Sequence, residues 1–149
     1  MVSNALSRAL APSGLFGSVK GFASEERCQR PETGAELAWI QYEFDRIYTR
    51  YELWVRSFNQ IIEPSLGFGA KIVKIEYSTD STTWAPVANV PEFAHAPGQD
   101  AYVHNTTVSF GGVSAKFVKL TIEKNWGVAP QTGLSEVRFF AIQTAAVKP

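Results

Sequence analysis

The sequence has few of the residues that form covalent cross-links or metal clusters. Its 149 residues include one cysteine, Cys28, and two histidines. A single cysteine excludes an internal disulfide and a cysteine-based metal cluster, and we interpret Cys28 as an inert thiol. The fold must therefore depend on packing, and the length suits one domain of ordinary size with a full core.

Long apolar runs and an excess of charge of one sign are also missing. No stretch of about 18 apolar residues occurs, so we expect no membrane span. Insertion of Phe68 and Phe93 into a membrane is a minor alternative, because no basic residues surround them. Fourteen Lys and Arg residues balance fourteen Asp and Glu residues. A net charge of zero gives no sign of attraction to nucleic acid, and we expect no such partner. The first residues, MVSNALSRALAPSG, lack the apolar centre of a secretory signal.

What the sequence does contain is the pattern of β-strands. Aromatic residues make up 13% of the chain, and β-branched and aromatic residues fill the periodic segments, which favours sheet. Alternation of apolar and polar residues predicts seven strands after residue 37, and the N-terminal region has room for one more. The seven are 39–45, 51–58, 71–77, 84–90, 106–110, 115–123 and 136–141. We predict an all-β fold, a jelly-roll β-sandwich of about eight antiparallel strands.

The domain boundaries follow from where this pattern begins and ends. Residues 1–36 are predicted to form an irregular arm that contains at most one strand or a short helix near residues 4–10. Pro12, Gly14, Gly17 and Gly21 break any longer element there. Residues 37–143 form the predicted sandwich, and residues 144–149 form a C-terminal tail.

The connections between the predicted strands alternate in length. The segments 45–50, 78–83 and 111–114 are short, whereas 59–70, 91–105 and 124–133 are long. If successive strands run up and down, the long loops all meet at one pole of the sandwich. Binding scaffolds commonly carry their functional loops together at one end. The lengths therefore predict a binding site at the long-loop pole.

Several segments together resemble the discoidin domain family, the C-terminal type of domain in coagulation factors. They are WIQYEF, VKIEYSTDSTTW, AKFVKLTI, NWG and GLSEVRFF, spread over residues 39–142. This family has a galactose-binding-like jelly roll and is similar to many bacterial carbohydrate-binding modules. The resemblance implies a non-catalytic module, secreted or on the cell surface, that binds glycans through loops at one pole. A protein-interaction or adhesion module that uses the same pole or the arm is the alternative.

Trp126 is the best candidate for contact with a sugar. An indole can stack on the apolar CH face of a sugar ring, and neighbouring Asn125 offers both a donor and an acceptor to hydroxyl groups. The alternative is that Trp126 caps the end of the sandwich.

Further candidates lie in the same long loops. His95 and His104 flank residues 96–103 and offer hydrogen bonds, as Asn59 and Asn105 do, and Phe93 offers a second stacking surface. Alternatively, Asn105 satisfies loop backbone, and each histidine is an ordinary surface residue. A zinc site formed by the two histidines has no cysteine or carboxylate pattern to support it.

The remaining tryptophans are predicted to lie in or beside strands. We expect Trp39 and Trp84 in the core. Trp54 shares a strand face with Arg56 and is expected to be partly exposed, with the guanidinium over its ring.

The resemblance also implies a structural calcium ion. In this chain the matching ligands are Glu136 and the carbonyl of Ser135, and the family supplies the others from a loop rich in Asp and Asn. Residues 13–38 contain no Asp or Asn, and calcium takes about six to eight oxygen ligands. Half of the usual set is missing, so the sequence leaves calcium binding open.

Enzymatic activity has little support. A glycosidase needs two carboxylates that face one cleft at about 5–9.5 Å. Glu63, Glu92 and Asp100 lie in the long loops without an accompanying motif, and there is no nucleophile elbow, HExxH sequence or phosphate-binding glycine loop. We therefore expect no catalysis.

Overall fold

The computed structural model describes residues 17–20, 38–128 and 132–143. These residues form one antiparallel sheet with the strand order β1-β6-β2-β5-β3-β4 and a single helical turn, α1. The prediction of an all-β fold is confirmed. The elements are β1 Gly17–Lys20, β2 Ala38–Ser57, α1 Glu63–Leu66, β3 Ala70–Ser78, β4 Ala85–Pro86, β5 Thr106–Asn125 and β6 Leu134–Gln143.

The sheet folds over itself into two layers, because β2 and β5 each belong to both. The first half of β2 pairs with the end of β5, which pairs in turn with β3. The second half of β2 pairs with the start of β5 and with β6. A parallel bridge between Gly69 and Gly133 joins the segments that lead into β3 and β6. Both ends of β2 therefore lie at the same pole, and its middle turns over at the other.

Two of the predicted short connections are corners within continuous strands. β2 passes through residues 45–50 with register shifts between Glu43 and Tyr48 and between Arg50 and Glu52. β5 passes through Gly111 and Gly112, whose φ angles are 65° and 82°. Bulges and left-handed glycines bend a strand without ending it. Each predicted strand pair is therefore one strand, and the described residues form six strands where about eight were expected.

Part of the N-terminal arm joins the sheet. β1 pairs with β6, with Gly17 opposite Ala141, where the sequence analysis had placed glycine breaks. The predicted helix at residues 4–10 and the tail at 144–149 lie outside the described residues.

The core lies between the two layers, on the strand faces that the alternation predicted as inward. Tyr42 in one layer meets Phe139 in the other edge to face, with ring centroids 5.1 Å apart. Burial of this apolar set is the main stabilising contribution to the fold. Its predicted members that are fully buried are Ile40, Phe44, Leu53, Val55, Val73, Ile75, Val118, Leu120, Ile122 and Phe139.

Arg50 is an unexpected member of the interior. Its side chain is completely buried, and its guanidinium carbon lies 3.6 Å from the ring centroid of Phe44 and 4.8 Å from that of Tyr48. Its nitrogens have no hydrogen-bond partner in the part of the chain that the structure describes. Burial lowers the pKa of Arg50 to about 10, because an apolar surrounding disfavours the charged form.

Trp39 and Trp84 do not lie in the core as expected. Both are half-buried. Lys119 Nζ lies 5.2 Å from the ring centroid of Trp39, and the Trp84 indole donates a hydrogen bond of 3.1 Å to the carbonyl of Ser81. Their rings cover the outside of the sheet, so the expectation for these two residues was wrong.

Candidate functional site

The three long loops meet at one pole, as their lengths predicted. They connect β2 to β3, β4 to β5 and β5 to β6. The backbone N–H of Gly127 donates to Gly67 at 2.7 Å, and that of Trp126 donates to Gly69 at 3.1 Å. Stacking of His95 on Trp126 joins the β4–β5 loop to the same cluster.

Glu63 organises this pole from inside. Its carboxylate is completely buried and accepts hydrogen bonds from the backbone N–H groups of Gly69 at 2.7 Å and Phe68 at 3.0 Å. His95 Nε2 lies 3.2 Å from the same carboxylate and donates to the Glu63 carbonyl at 3.2 Å. The helical turn α1 ends at Gly67, which has the left-handed φ of 65°. Glu63 therefore holds its own loop together and is not open to a substrate.

Trp126 is used within the loop cluster. It is half-buried, and its ring stacks on His95 with centroids 5.1 Å apart and planes at 15°. Its indole N–H donates to the carbonyl of Phe93 at 3.1 Å, and Lys71 Nζ lies 4.3 Å from the ring centroid. These contacts favour the alternative in which Trp126 caps the sandwich.

Phe93 does not offer the stacking surface that the sequence analysis expected. Its side chain is completely buried in the hydrophobic core. The β4–β5 loop passes close to the sheet at this point, where the backbone N–H of Phe93 donates to the Lys71 carbonyl at 2.8 Å. The expectation was therefore wrong for this residue.

The predicted asparagines serve mainly the loop backbone. The side chain of Asn59 donates to the carbonyl of Gln99 and accepts from the N–H of Gly98, both at 2.7 Å. The Asn105 amide donates to the carbonyl of His95 at 3.2 Å, which agrees with the backbone-satisfying alternative. Asn125 is half-buried and also has an interaction partner.

A groove lies beside the loop cluster, on the outward face of β2 and β6. It has a volume of about 470 Å³ and is lined by the strands and by the end of the β4–β5 loop. Trp54 stands directly opposite Arg138, and Arg56 directly opposite Glu136, and opposite residues share one face of a sheet. The described lining residues are Trp54, Arg56, Val103, His104, Glu136 and Arg138.

Part of the groove lining is aromatic. The imidazole of His104 stacks on the indole of Trp54, with ring centroids 3.8 Å apart and planes at 10°. Phe140 lies behind the same indole, at 4.5 Å between centroids. Val103 extends this apolar surface and is 66% exposed. Trp54 is thus partly exposed, as predicted, but its stacking partner is His104 rather than Arg56.

The adjoining part of the lining is charged. Glu136 accepts a hydrogen bond of 2.9 Å from Arg138 Nε, and its other oxygen lies 3.5 Å from Arg56 Nη1. Arg56 also donates from Nη2 to the carbonyl of Tyr102. Two guanidinium groups therefore face one carboxylate, and all three side chains are partly exposed.

The calcium site implied by the family resemblance does not fit these residues. Glu136 lies between two guanidinium groups, which repel a cation and already occupy the carboxylate. Ser135 precedes Glu136 in β6, and Glu136 is the one acidic residue of that strand. Within residues 17–20, 38–128 and 132–143, no three His, Cys, Asp or Glu side chains gather as metal ligands do. The described residues therefore give no support for a calcium site at Glu136 and Ser135, and calcium binding there stays a prediction.

Arg56 and Arg138 line the groove but were not predicted as members of a site. The alternation correctly placed Arg56 on the same strand face as Trp54. What it lacked was the pairing of β2 with β6, two strands that are far apart in the sequence. An outward tryptophan two residues from an outward arginine was the available signal.

Comparison with known proteins gives structural similarity alone. No protein-family model matches the chain, and no curated protein is significantly similar to it. The F5/8 type C domain of a Bacteroides fragilis protein has a TM-score of 0.51 at 13% identity, over 72% of this chain and 67% of that one. The C-terminal domain of a B. fragilis chitobiase has a TM-score of 0.53 at 16% identity, over 74% and 66%.

A carbohydrate-binding module is among the similar structures. It is a family 32 module from a family 31 glycoside hydrolase of Clostridium perfringens, with a TM-score of 0.50 at 14% identity, over 85% of this chain and 90% of that one. At such identities the similarity establishes the fold. The chain therefore has the galactose-binding-like jelly-roll fold that F5/8 type C, or discoidin-like, domains share with carbohydrate-binding modules.

Proposed function

We propose that the protein is a non-catalytic carbohydrate-binding module whose ligand lies in the groove beside the long-loop pole. The observation that carries the proposal is the composition of the groove. The stacked pair Trp54 and His104 forms an apolar wall, and Arg56, Arg138 and Glu136 line the same groove beside it. A sugar has an apolar ring face and a polar rim, so it needs both kinds of surface at once.

The same groove argues against catalysis of glycoside hydrolysis. Glu136 is the one carboxylate among its described lining residues, and hydrolysis uses two carboxylates in one cleft. Both oxygens of Glu136 face guanidinium groups. Glu136 is therefore placed to orient arginines, and we assign it a binding role.

The proposed location follows from the proposed ligand. Glycans are abundant outside cells, and we place the module in the secreted or cell-surface fraction. None of the helices in the described part of the chain has the length and apolar character that crossing a membrane requires.

The two histidines provide a matched test. Each stacks on a tryptophan, His104 in the groove and His95 in the loop cluster. We would identify a ligand on a glycan array and measure its affinity by calorimetry for the His104→Ala and His95→Ala variants. We expect His104→Ala to weaken binding about tenfold, since aromatic contacts contribute on the order of 1 kcal/mol beyond the area that they bury.

The outcomes separate the possible sites. The proposal predicts that His95→Ala retains ligand affinity. It also predicts that a metal chelator leaves the ligand affinity of both variants unchanged. Loss of binding in His95→Ala alone, with its fold intact, would move the site to Trp126. A blank array with folded protein would overturn the glycan-binding function.

A second candidate function is protein interaction at the same pole, which one observation favours. Ile61, Ile62, Leu66 and Val128 are 85%, 48%, 41% and 104% exposed. The β5–β6 loop touches α1 at Gly127, so these apolar side chains lie at one end of the molecule. Exposed apolar patches often mark contact surfaces.

Sedimentation at increasing protein concentration tests whether the partner is a second copy. Self-association that Ile61→Ser abolishes, without loss of glycan affinity, would support this function. A monomer at every concentration would contradict a second copy as the partner.

A further inference from the structure

We propose that the groove is specific for an acidic sugar, one that carries a carboxylate on its ring as uronic acids do, and that Arg138 is its principal contact. This inference rests on the proposed function and deepens it. The chain as a whole has no net charge, yet the described lining of the groove holds two guanidinium groups and one carboxylate. The groove therefore has a surplus of one positive charge, and a neutral sugar would leave this charge unpaired.

Arg138 is held in an orientation that presents its terminal nitrogens. Its Nε donates to Glu136 at 2.9 Å, and its side chain is 40% exposed. No hydrogen bond within the described ranges engages the two Nη groups. A guanidinium has five N–H donors in a planar fork. With Nε occupied, the remaining edge matches the two oxygens of a carboxylate.

Arg56 has a different role in the groove. Its Nη2 donates to the carbonyl of Tyr102, and Nη1 lies 3.5 Å from Glu136. These contacts hold it against both the β4–β5 loop and β6. Arg56 therefore supplies positive charge and positions Glu136, while Arg138 keeps donors that no other described residue uses.

The aromatic wall indicates that the anion belongs to a larger molecule. Trp54, His104 and Val103 form an apolar surface beside the arginines, which a small inorganic anion would leave uncovered. A sugar acid uses both kinds of surface, because its CH face meets the aromatic wall while its carboxylate reaches Arg138. The volume of about 470 Å³ lies in the ordinary range for small-molecule sites, roughly 300–1,000 Å³.

The first arm of the test changes the ligand and leaves the protein intact. Calorimetry would compare an oligosaccharide of uronic acids with its methyl ester, which has the same ring and hydroxyl groups without the charge. We expect the ester to bind at least about tenfold more weakly, since a hydrogen bond to a charged group contributes roughly 1.5–3 kcal/mol, a factor of ten being about 1.4 kcal/mol. The preference should diminish as salt is raised, because the groove is partly exposed.

The second arm changes the protein. Arg138→Gln should remove the preference for the acid over the ester, and Arg138→Lys should keep part of it, since lysine retains the charge without the fork. Arg46→Gln is the matched control. Arg46 lies on the corner of β2, outside the groove, and its guanidinium bonds to Asp45 at 2.9 Å.

The results distinguish this inference from the proposed function. Equal affinity for acid and ester would overturn the inference and leave a neutral glycan-binding module. Binding of sulfated sugars in preference to carboxylated ones would overturn the carboxylate assignment. A preference that survives Arg138→Gln would exclude Arg138 as its source. Absence of binding to every glycan by folded protein would overturn the proposed function itself.

Discussion

At the scale of single residues, the two histidines show how similar contacts serve different ends. His95 stacks on Trp126 and approaches the buried carboxylate of Glu63. His104 stacks on Trp54 at the rim of the groove. The first pair joins loops to one another, whereas the second forms the wall of a concave surface.

Replacement of Trp126 by Ala is predicted to destabilise the protein. The ring is half-buried, stacks on His95 of the β4–β5 loop and donates a hydrogen bond to the carbonyl of Phe93. We expect a loss of roughly 2–4 kcal/mol in unfolding free energy, somewhat less than for a fully buried tryptophan. Thermal or denaturant unfolding measures it, with the exposed Val128→Ala of the same loop as the control. An unchanged melting temperature together with lost glycan binding would instead support the ligand role that the sequence suggested.

Glu63→Gln tests the buried anchor of the loops. Glutamine keeps one acceptor oxygen, but its amide group cannot accept the second backbone hydrogen bond, from Phe68 or Gly69. We expect a loss of about 1–3 kcal/mol in unfolding free energy, the usual cost of an unsatisfied buried group. Glu92→Gln is the control, because Glu92 is 53% exposed and pairs with Lys71 on the surface. Equal stability of the two variants would contradict the anchoring role.

Individual side chains in strands were easier to predict from the sequence than those in loops or corners. Alternation placed Trp54 and Arg56 together on one partly exposed strand face, since the two faces of a strand differ in burial. Phe93 lies in a loop, where no period indicates which side chains turn inward. The burial of Arg50 was equally invisible, because it depends on the corner that brings the rings of Phe44 and Tyr48 around it.

At the scale of elements, the corners of β2 and β5 explain why strands were miscounted. A break in alternation accompanies both a reversing turn and a bulge, so the pattern at residues 45–50 did not distinguish them. The prediction that the long loops meet at one pole was nevertheless correct. A long strand that folds over at its corner returns to its starting pole, as two strands joined by a turn would.

Gly127 is predicted to be intolerant of a side chain. A Cβ there would lie 1.9 Å from the carbonyl oxygen of Leu66, so the two loops would have to separate. We expect Gly127→Ala to cost about 3 kcal/mol or more in unfolding free energy. Gly111→Ala is the matched control, since its φ is 65° but its surroundings are open, and its cost should be about 1–2 kcal/mol. A Gly127→Ala protein as stable as the control would contradict the close crossing of the loops.

Asp80 closes the turn between β3 and β4, and its effect should depend on pH. Its carboxylate accepts hydrogen bonds from the N–H groups of Thr82 and Thr83, each at 2.8 Å, and from the Ser78 hydroxyl at 2.9 Å. These hydrogen bonds hold the pKa of Asp80 far below its usual range, and the bond from Thr83 has the largest effect. A carboxylate whose pKa is lowered by folding stabilises the folded state at pH values above the ordinary Asp pKa. This stabilisation is lost as the pH falls towards the lowered pKa, because the carboxylate becomes protonated.

We therefore expect Asp80→Asn to lower the melting temperature at pH 7. The difference from the unmodified protein should diminish below about pH 4, the ordinary pKa of Asp being about 3.9. Melting curves at a series of pH values measure it, with Asp100→Asn in an exposed loop as the control. A difference that is constant down to pH 2 would show that the charge is not responsible.

At the scale of the whole molecule, the loop cluster and the groove share one end of the sandwich. The long loops converge because the strands that they connect end at the same pole. The lengths of the connections predicted this arrangement. The groove was not predicted, because it requires the register that sets Trp54 against Arg138 and the loop that lays His104 over Trp54. Both relations join residues that are remote in the sequence.

The location of the ligand is the central claim, and the indole N–H signals of the four tryptophans test it most directly. We would record ¹H–¹⁵N spectra while titrating the labelled protein with the glycan that binds best on an array. The account predicts that the Trp54 indole signal shifts with increasing ligand, together with backbone signals of residues 136–138. The Trp126 indole signal should stay in place. Shifts confined to Trp126 and its neighbours Lys71 and His95 would contradict the account and return the site to the tip of the loops.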